Sequence, residues 1–197
     1  MLKKRTVTRR KRSSAVTHTI DGIKYKTAKD IERHKLLKAN PDVKSFILPD
    51  ATEKSKYSRY GAHKCSINGI TFDSVLEGMY YAHLLDLKRA GFVDEIERQV
   101  TFTLLDGFTH KLSKKKIRPI TYLADFVVRY TNGETSVIDV KGKKTPEFRL
   151  KEKMFFSRYP DLELVCVQYD NVEKQWRNLD DIEKDKRARK RARAKKK

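Results

Sequence analysis

Ser136-Val137-Ile138-Asp139-Val140-Lys141-Gly142 sets an acid and a lysine two residues apart in a run that is otherwise largely β-branched. Side chains alternate along a strand, so Asp139 and Lys141 share one face while Ile138 and Val140 share the other. Two charges on so apolar a strand call for a reason. A metal-dependent phosphodiesterase site supplies one: the acid holds a cation, and the lysine meets a phosphate or the attacking water. The pattern Asp-x-Lys is weak alone, for Asp42/Lys44 and Asp86/Lys88 repeat it. The first of these opens a strand. The second lies on a helix, where a spacing of two does not align side chains. Only the third copy falls in a strand that reads as buried.

The segment before it carries a second unexpected acid, Asp125, within the strand Ile120 to Tyr130. The turn between the strands decides whether Asp125 meets Asp139. A two-residue Asn132-Gly133 loop would pair Thr131 with Glu134 and set Asp125 opposite Val140. A three-residue loop, Thr131-Asn132-Gly133 with Gly133 in a left-handed bulge, pairs Tyr130 with Glu134 and sets Asp125 opposite Asp139. The bulged turn is the expectation. Facing carboxylates repel unless a cation lies between them. An all-oxygen set calls for a hard ion, Mg²⁺ or Mn²⁺, rather than zinc. The histidines (His18, His34, His63, His83, His110) show no metal spacing, and their expected roles are surface or packing.

Working outward, a strand is expected over 162–169 after a helix from Thr145 to about Tyr159, with Pro146 in its first turn. Val93 to Leu105 reads as one or two strands. Residues 107–118 read as a lysine-rich loop or hairpin end, and Asp180 onward as a charged helix. Upstream, Ile67-Asn68-Gly69-Ile70-Thr71-Phe72-Asp73-Ser74 matches Ile20-Asp21-Gly22-Ile23-Lys24-Tyr25-Lys26-Thr27 in kind. Each is a turn signal leading into a helix, with an acid three residues after the hydroxyl: Asp30 in the first and Glu77 in the second. The helices are expected from Thr27 to about Asn40 and from Val75 to about Ala90. Ser74-Val75-Leu76-Glu77 is a capping box, so Glu77 is either a cap or a third site acid. Val43 to Leu48 reads as a short strand and 50–60 as a linker. The organisation is therefore a basic arm at 1–12, a hairpin-helix element over 13–58, a main domain over 59–180 and a basic tail at 181–197. The fold class is α/β, a mixed central β-sheet flanked by helices.

The chain has 197 residues and a net charge of +20. Residues 1–12 contribute +7 and residues 184–197 contribute +9, which leaves only +4 for the rest. Such like-charge ends are expected to be disordered or helical and to bind a polyanion. Neither end interleaves bulky apolar residues, so an anionic membrane is a poorer partner. Cys65 and Cys166 form neither a zinc nor a disulfide framework, which fits a reducing cytoplasm. No signal peptide or apolar run of spanning length is visible.

These residues together resemble the PD-(D/E)xK nuclease superfamily. Residues from about 59 to 170 are similar to a phage and prophage group within it. The resembling stretches are Arg59-Tyr60-Gly61, Asn68 to Ser74 with Leu76-Glu77, Glu97-Arg98-Gln99, Arg118 to Phe126 and Val137 to Gly142. Ala124-Asp125 stands where the superfamily has Pro-Asp, and Asp139 where Glu is more usual. The resemblance implies a restriction-endonuclease-like core and a Mg²⁺- or Mn²⁺-dependent DNA endonuclease. It implies a metal on Asp125, Asp139, the Val140 carbonyl and Glu77, with Lys141 as the fourth catalytic residue. Gln99 is an accessory polar group. Lys114, Lys115, Lys116, Arg118, Lys143, Lys144 and Arg149 are candidates to grip phosphates, as are Arg187, Arg189, Lys190, Arg191 and Arg193 in the tail. The implied setting is host cytoplasm, with branched, recombination or replication DNA, a homodimer, and phage replication, recombination or packaging proteins as partners. A packaging, head-completion or restriction-like nuclease stays open, as do an RNA substrate and a non-catalytic DNA-binding protein.

Overall fold

The computed structural model describes residues 18–21, 23–25, 27–48 and 63–195. The arm at 1–12, the linker at 50–60 and Arg59-Tyr60-Gly61 lie outside the described residues. The chain begins with a small hairpin, β1 (His18–Ile20) and β2 (Ile23–Tyr25), followed by α1 (Ala28–Ala39) and the short strand β3 (Phe46–Ile47). A second hairpin, β4 (Cys65–Ile67) and β5 (Ile70–Phe72), leads into α2 (Val75–Arg89). Then come β6 (Val93–Leu105), the hairpin β7 (Phe108–Thr109) and β8 (Lys116–Ile117), β9 (Ile120–Tyr130) and β10 (Thr135–Val140). The chain continues through α3 (Pro146–Arg158), β11 (Glu163–Asp170), β12 (Gln175–Asn178) and α4 (Leu179–Lys195).

The central sheet has five strands in the order β12-β11-β10-β9-β6. β10 and β11 run parallel, joined by the α3 crossover, and the other neighbours are antiparallel. The sheet is thus mixed and flanked by helices on both faces, as the alternating pattern of elements predicts. One core lies between the sheet and α2, where Phe126, Val128, Ile138, Val140 and Val167 meet Met79, Tyr80 and Leu84. Tyr25, Leu37 and Leu48 from the N-terminal elements join that core. The other lies beneath α3 and α4, where Tyr122, Ala124, Val127, Val137, Leu164 and Cys166 meet Phe148, Phe155 and Leu179. Gly78 lets α2 approach β4, since a Cβ there would stand 2.5 Å from Cys65 Sγ.

The hairpin turn is the bulged one. Tyr130 N–H donates to the Glu134 carbonyl at 2.9 Å, Gly133 N–H to the Tyr130 carbonyl at 3.0 Å, and Gly133 has φ of +88°. The register follows: Thr135 pairs with Arg129, Val137 with Val127 and Ile138 with Phe126. The paired stretch ends at Ile138–Phe126, one residue short of Asp139 and Asp125.

The two hairpin–helix units share their local geometry. Asp21 and Asn68 both take left-handed φ, at +50° and +52°. Thr27 caps α1 by accepting from Asp30 N–H at 3.2 Å, and Ser74 caps α2 by accepting from Glu77 N–H at 3.1 Å. Each hydroxyl also donates back to that acid, at 2.6 Å to Asp30 and 2.7 Å to Glu77. Both satisfy a free N–H at the start of a helix.

Candidate active site

Asp139 is 7 % exposed near the end of β10. Its Oδ1 accepts from the Tyr122 hydroxyl at 2.6 Å, and its Oδ2 lies 2.7 Å from Lys141 Nζ. The strand's alternation thus delivers what the spacing predicts: acid and lysine side by side. The Lys141 ammonium also sits 3.5 Å from the centre of the Phe148 ring, a cation–π contact from the first turn of α3. Burial pulls Lys141 below the usual lysine range, against the attraction of Asp125 and Glu152. Tyr122 and Phe148, both 5 % exposed, fix the two charged groups from the α3 side.

Asp125 sits where β6 and β9 roll over. On β9, Tyr122 and Ala124 face the α3 core, while Phe126 and Val128 face the α2 core. On β6, Val100 and Phe102 face α3, while Ile96 faces α2. The pivot falls between the pairs Val100–Ala124 and Arg98–Phe126, at Gln99, whose φ is +53°. A left-handed non-glycine residue inside a strand is unfavourable, and such strain gathers at functional sites. At the pivot Asp125 leaves the alternation. Its Oδ2 accepts the Val140 N–H at 2.7 Å, taking the place a backbone carbonyl would hold. Burial raises the Asp125 pKa, and the Val140 amide and Lys141 partly oppose that rise.

Glu77 reaches the same region from α2. It is 9 % exposed, and its pKa is pushed up to about 7, first by burial and next by the charge of Asp125. The cap and site readings of Glu77 are therefore compatible: Ser74 holds one oxygen while the group feels Asp125. Asp73 adds a further negative charge felt by both Glu77 and Asp125, and it pairs with Lys64 at 2.8 Å.

The basic candidates divide. Lys143 and Arg149 are exposed beside the site, and Lys114, Lys115, Lys116 and Arg118 are exposed on the β7–β8 hairpin. Lys144 corrects the sequence expectation. It is 7 % exposed and is held by Glu152 at 2.7 Å and Asp180 at 2.8 Å, so it pins α3 to α4 and offers no free cation. In α4, Arg187 pairs with Glu183 and Arg189 with Glu173, while Lys190, Arg191 and Arg193 stand exposed. Tyr122, Phe148 and Asp73 escaped the sequence reading. An aromatic in a strand reads as core, and only the Tyr122 hydroxyl, which needs a partner when buried, hints at more.

Among the described residues, no three carboxylate, histidine or cysteine side chains close into a metal cage. The donors nevertheless fit a hard divalent ion in kind, being carboxylate oxygens beside the Val140 carbonyl. Each carboxylate has about four lone-pair positions, so a hydrogen bond from Tyr122, the Val140 amide or Ser74 does not exhaust it.

A family model described as "Protein of unknown function (DUF1064)" matches residues 57–173. That span covers more than half of the chain, and the chain belongs to this family. The match contains Glu77, Asp125, Asp139 and Lys141, and leaves out the first hairpin–helix unit and α4. No curated protein and no solved structure matches the chain.

Proposed function

We propose that the chain, a member of that family, is a metal-dependent endodeoxyribonuclease of the PD-(D/E)xK type, acting on branched, recombination or replication DNA of a phage. One observation carries the reading: buried Asp125 is hydrogen-bonded at 2.7 Å to the amide of Val140, the residue that lies between Asp139 and Lys141. Asp125, Asp139, the Val140 carbonyl and Glu77 would hold Mg²⁺ or Mn²⁺. The ion would lower the pKa of a bound water and offset charge on the phosphate. Lys141, steadied by Phe148, would neutralise the charge that grows on a phosphate oxygen during attack. With no ion bound, burial and the charge of Asp125 push the Glu77 pKa up to about 7, and a bound cation would favour its ionised form. Water adds across the P–O bond: its oxygen bonds phosphorus, the bond to the leaving oxygen breaks, and the proton the water gives up to solvent is matched by one the leaving oxygen takes from it. Exposed Lys143 and Arg149 can hold flanking phosphates without reading bases.

A nucleic-acid-binding protein that does not cleave is the second reading. The direct Lys141–Asp139 ion pair favours it, because it engages an oxygen that a metal would use. Purified protein with Mg²⁺ or Mn²⁺ on linear, single-stranded and four-way DNA separates the two. Asp139→Ala and Lys141→Ala should each abolish cleavage while binding persists. Cleavage that survives both changes would falsify the nuclease assignment; absence of any cleavage by the unaltered chain leaves the binding reading. Resection confined to linear ends would instead favour a packaging or restriction-like role.

A further inference from the structure

The β7–β8 hairpin continues the β6–β9 pair beyond Leu105–Ile120, and among the described residues it carries the most exposed large apolar side chain. That side chain is Leu112, at 89 % exposure. The turn beneath it is well defined. Phe108 pairs with Ile117 and Thr109 with Lys116; His110 N–H donates to the Lys115 carbonyl at 2.9 Å, and Lys114 N–H to the His110 carbonyl at 2.8 Å. Ser113 Oγ lies 2.8 Å from His110 Nδ1, and Lys114 takes φ of +54° to close the turn. At the neck a Cβ on Gly107 would come within 3.2 Å of the Ile117 carbonyl and of Pro119, so the two arms are tightly apposed there. The tip is a built structure that holds an apolar side chain out in solvent.

Its charge says what the tip meets. Lys111, Lys114, Lys115, Lys116 and Arg118 are exposed, and none is engaged by an ion pair among the described residues. Residues 107–119 contain no acid, and Asp106 at the base is already paired with Arg158 at 3.0 Å. A second copy of this basic chain would bring more cations to the tip. Nucleic acid brings phosphates for the lysines and a base stack into which an apolar wedge can insert. Position agrees. β9 and β10 are antiparallel, so the start of β9, where the hairpin springs, lies at the same sheet end as Val140 and Lys141. From Asp125 to the neck at Ile120 is five residues, about 17 Å of strand, or half a turn of duplex.

We infer that the β7–β8 hairpin is a nucleic-acid wedge: its lysines straddle the backbone and Leu112 enters the base stack within one turn of the phosphate held at the Asp125–Asp139 site. This inference rests on the nucleic-acid reading above but not on cleavage. The test is therefore binding in EDTA by the full chain to a short duplex carrying 2-aminopurine. The unaltered chain should bind and raise the 2-aminopurine fluorescence, as an unstacked base does. Leu112→Ser should abolish the rise and weaken binding roughly tenfold, the scale of one lost wedge, with the salt slope unchanged. Replacing Lys111, Lys114, Lys115 and Lys116 with Gln should cut the log–log salt slope by about three to four, near 0.9 per lost phosphate contact. All four sites are exposed, so thermal melting should confirm intact folding. Affinity and fluorescence unchanged in both variants would overturn the wedge while leaving the nuclease reading standing. Sedimentation showing that Leu112→Ser splits a dimer at constant DNA affinity would assign the tip to a second copy. Failure of the unaltered chain to bind DNA would remove both readings.

Discussion

Thr27 with Asp30 and Ser74 with Glu77 are the same local device, two hydroxyl caps each exchanging hydrogen bonds with an acid one turn on. Their surroundings part them. The Asp30 side chain is 37 % exposed and pairs with Arg33 at 3.0 Å, a contact worth little in water. Glu77 is buried, close enough to Asp125 to feel its charge, and its pKa reaches about 7. Nothing in the capping grammar distinguishes the two acids. What distinguishes them is the sheet beneath: α2 lies over the rolled strands that carry Asp125, and α1 lies on the rim of the same core. Local pattern makes a cap, and tertiary placement turns one cap into a candidate site acid.

The two acids should part most widely with pH. Glu77 holds its proton more tightly folded (about 7) than at its ordinary value of 4.5. Its contribution to stability is full below about pH 4.5 and is lost as pH rises through 7. The loss is about 3 kcal/mol at most, at 1.36 kcal/mol per pH unit. Urea melts in EDTA should show Glu77→Gln gaining stability over the unaltered chain by that order between pH 4.5 and 8. A difference that is flat with pH would mean Glu77 is an ordinary cap. Saturating Mg²⁺ should restore stability to the unaltered chain most strongly at the alkaline end, where the carboxylates are ionised. Next in size, Glu77→Gln should slow cleavage roughly a hundredfold while Asp30→Asn leaves it unchanged, the scale of one lost transition-state contact. Equal losses from the two would erase the distinction.

Smaller still is Tyr122→Phe, which removes only the hydroxyl bound to Asp139 at 2.6 Å. A hydrogen bond to a charged group is worth about 1.5–3 kcal/mol, so chemical denaturation should show a loss near the lower figure. Single-turnover cleavage should fall with little change in DNA affinity. The smallest effect separates the caps themselves. Thr27→Ala should cost about 1 kcal/mol in melting free energy. Ser74→Ala should cost at least as much, because it also frees the Glu77 oxygen in a buried place.

β9 and β10 are legible to the residue, because Asn132-Gly133 announces a turn between two runs rich in β-branched and aromatic residues. The two helix starts were legible because Thr27 and Ser74 stand where a cap must. β12 was not: Gln175-Trp176-Arg177-Asn178 is polar and short, and only pairing with β11 makes it a strand. The single thirteen-residue β6 was open to a split reading, and its left-handed Gln99 carries no sequence mark. Lys144 departs from its sequence context for a related reason. Beside Lys143 it looks like a surface cation, and its burial depends on Glu152 and Asp180, eight and thirty-six residues away. The family match supplies membership without function, so the acid pair stands on its geometry.

The Thr131–Gly133 turn also acts as a ruler through descent. Asp139 lies fourteen positions after Asp125, and the turn sits symmetrically between them. Lengthening the hairpin by one residue on each arm preserves the facing acids; adding one residue to one arm turns an acid to the wrong side. Lineages that keep this site can therefore change that interval only in steps of two, and a related chain with an odd interval should have lost one acid or acquired a compensating bulge.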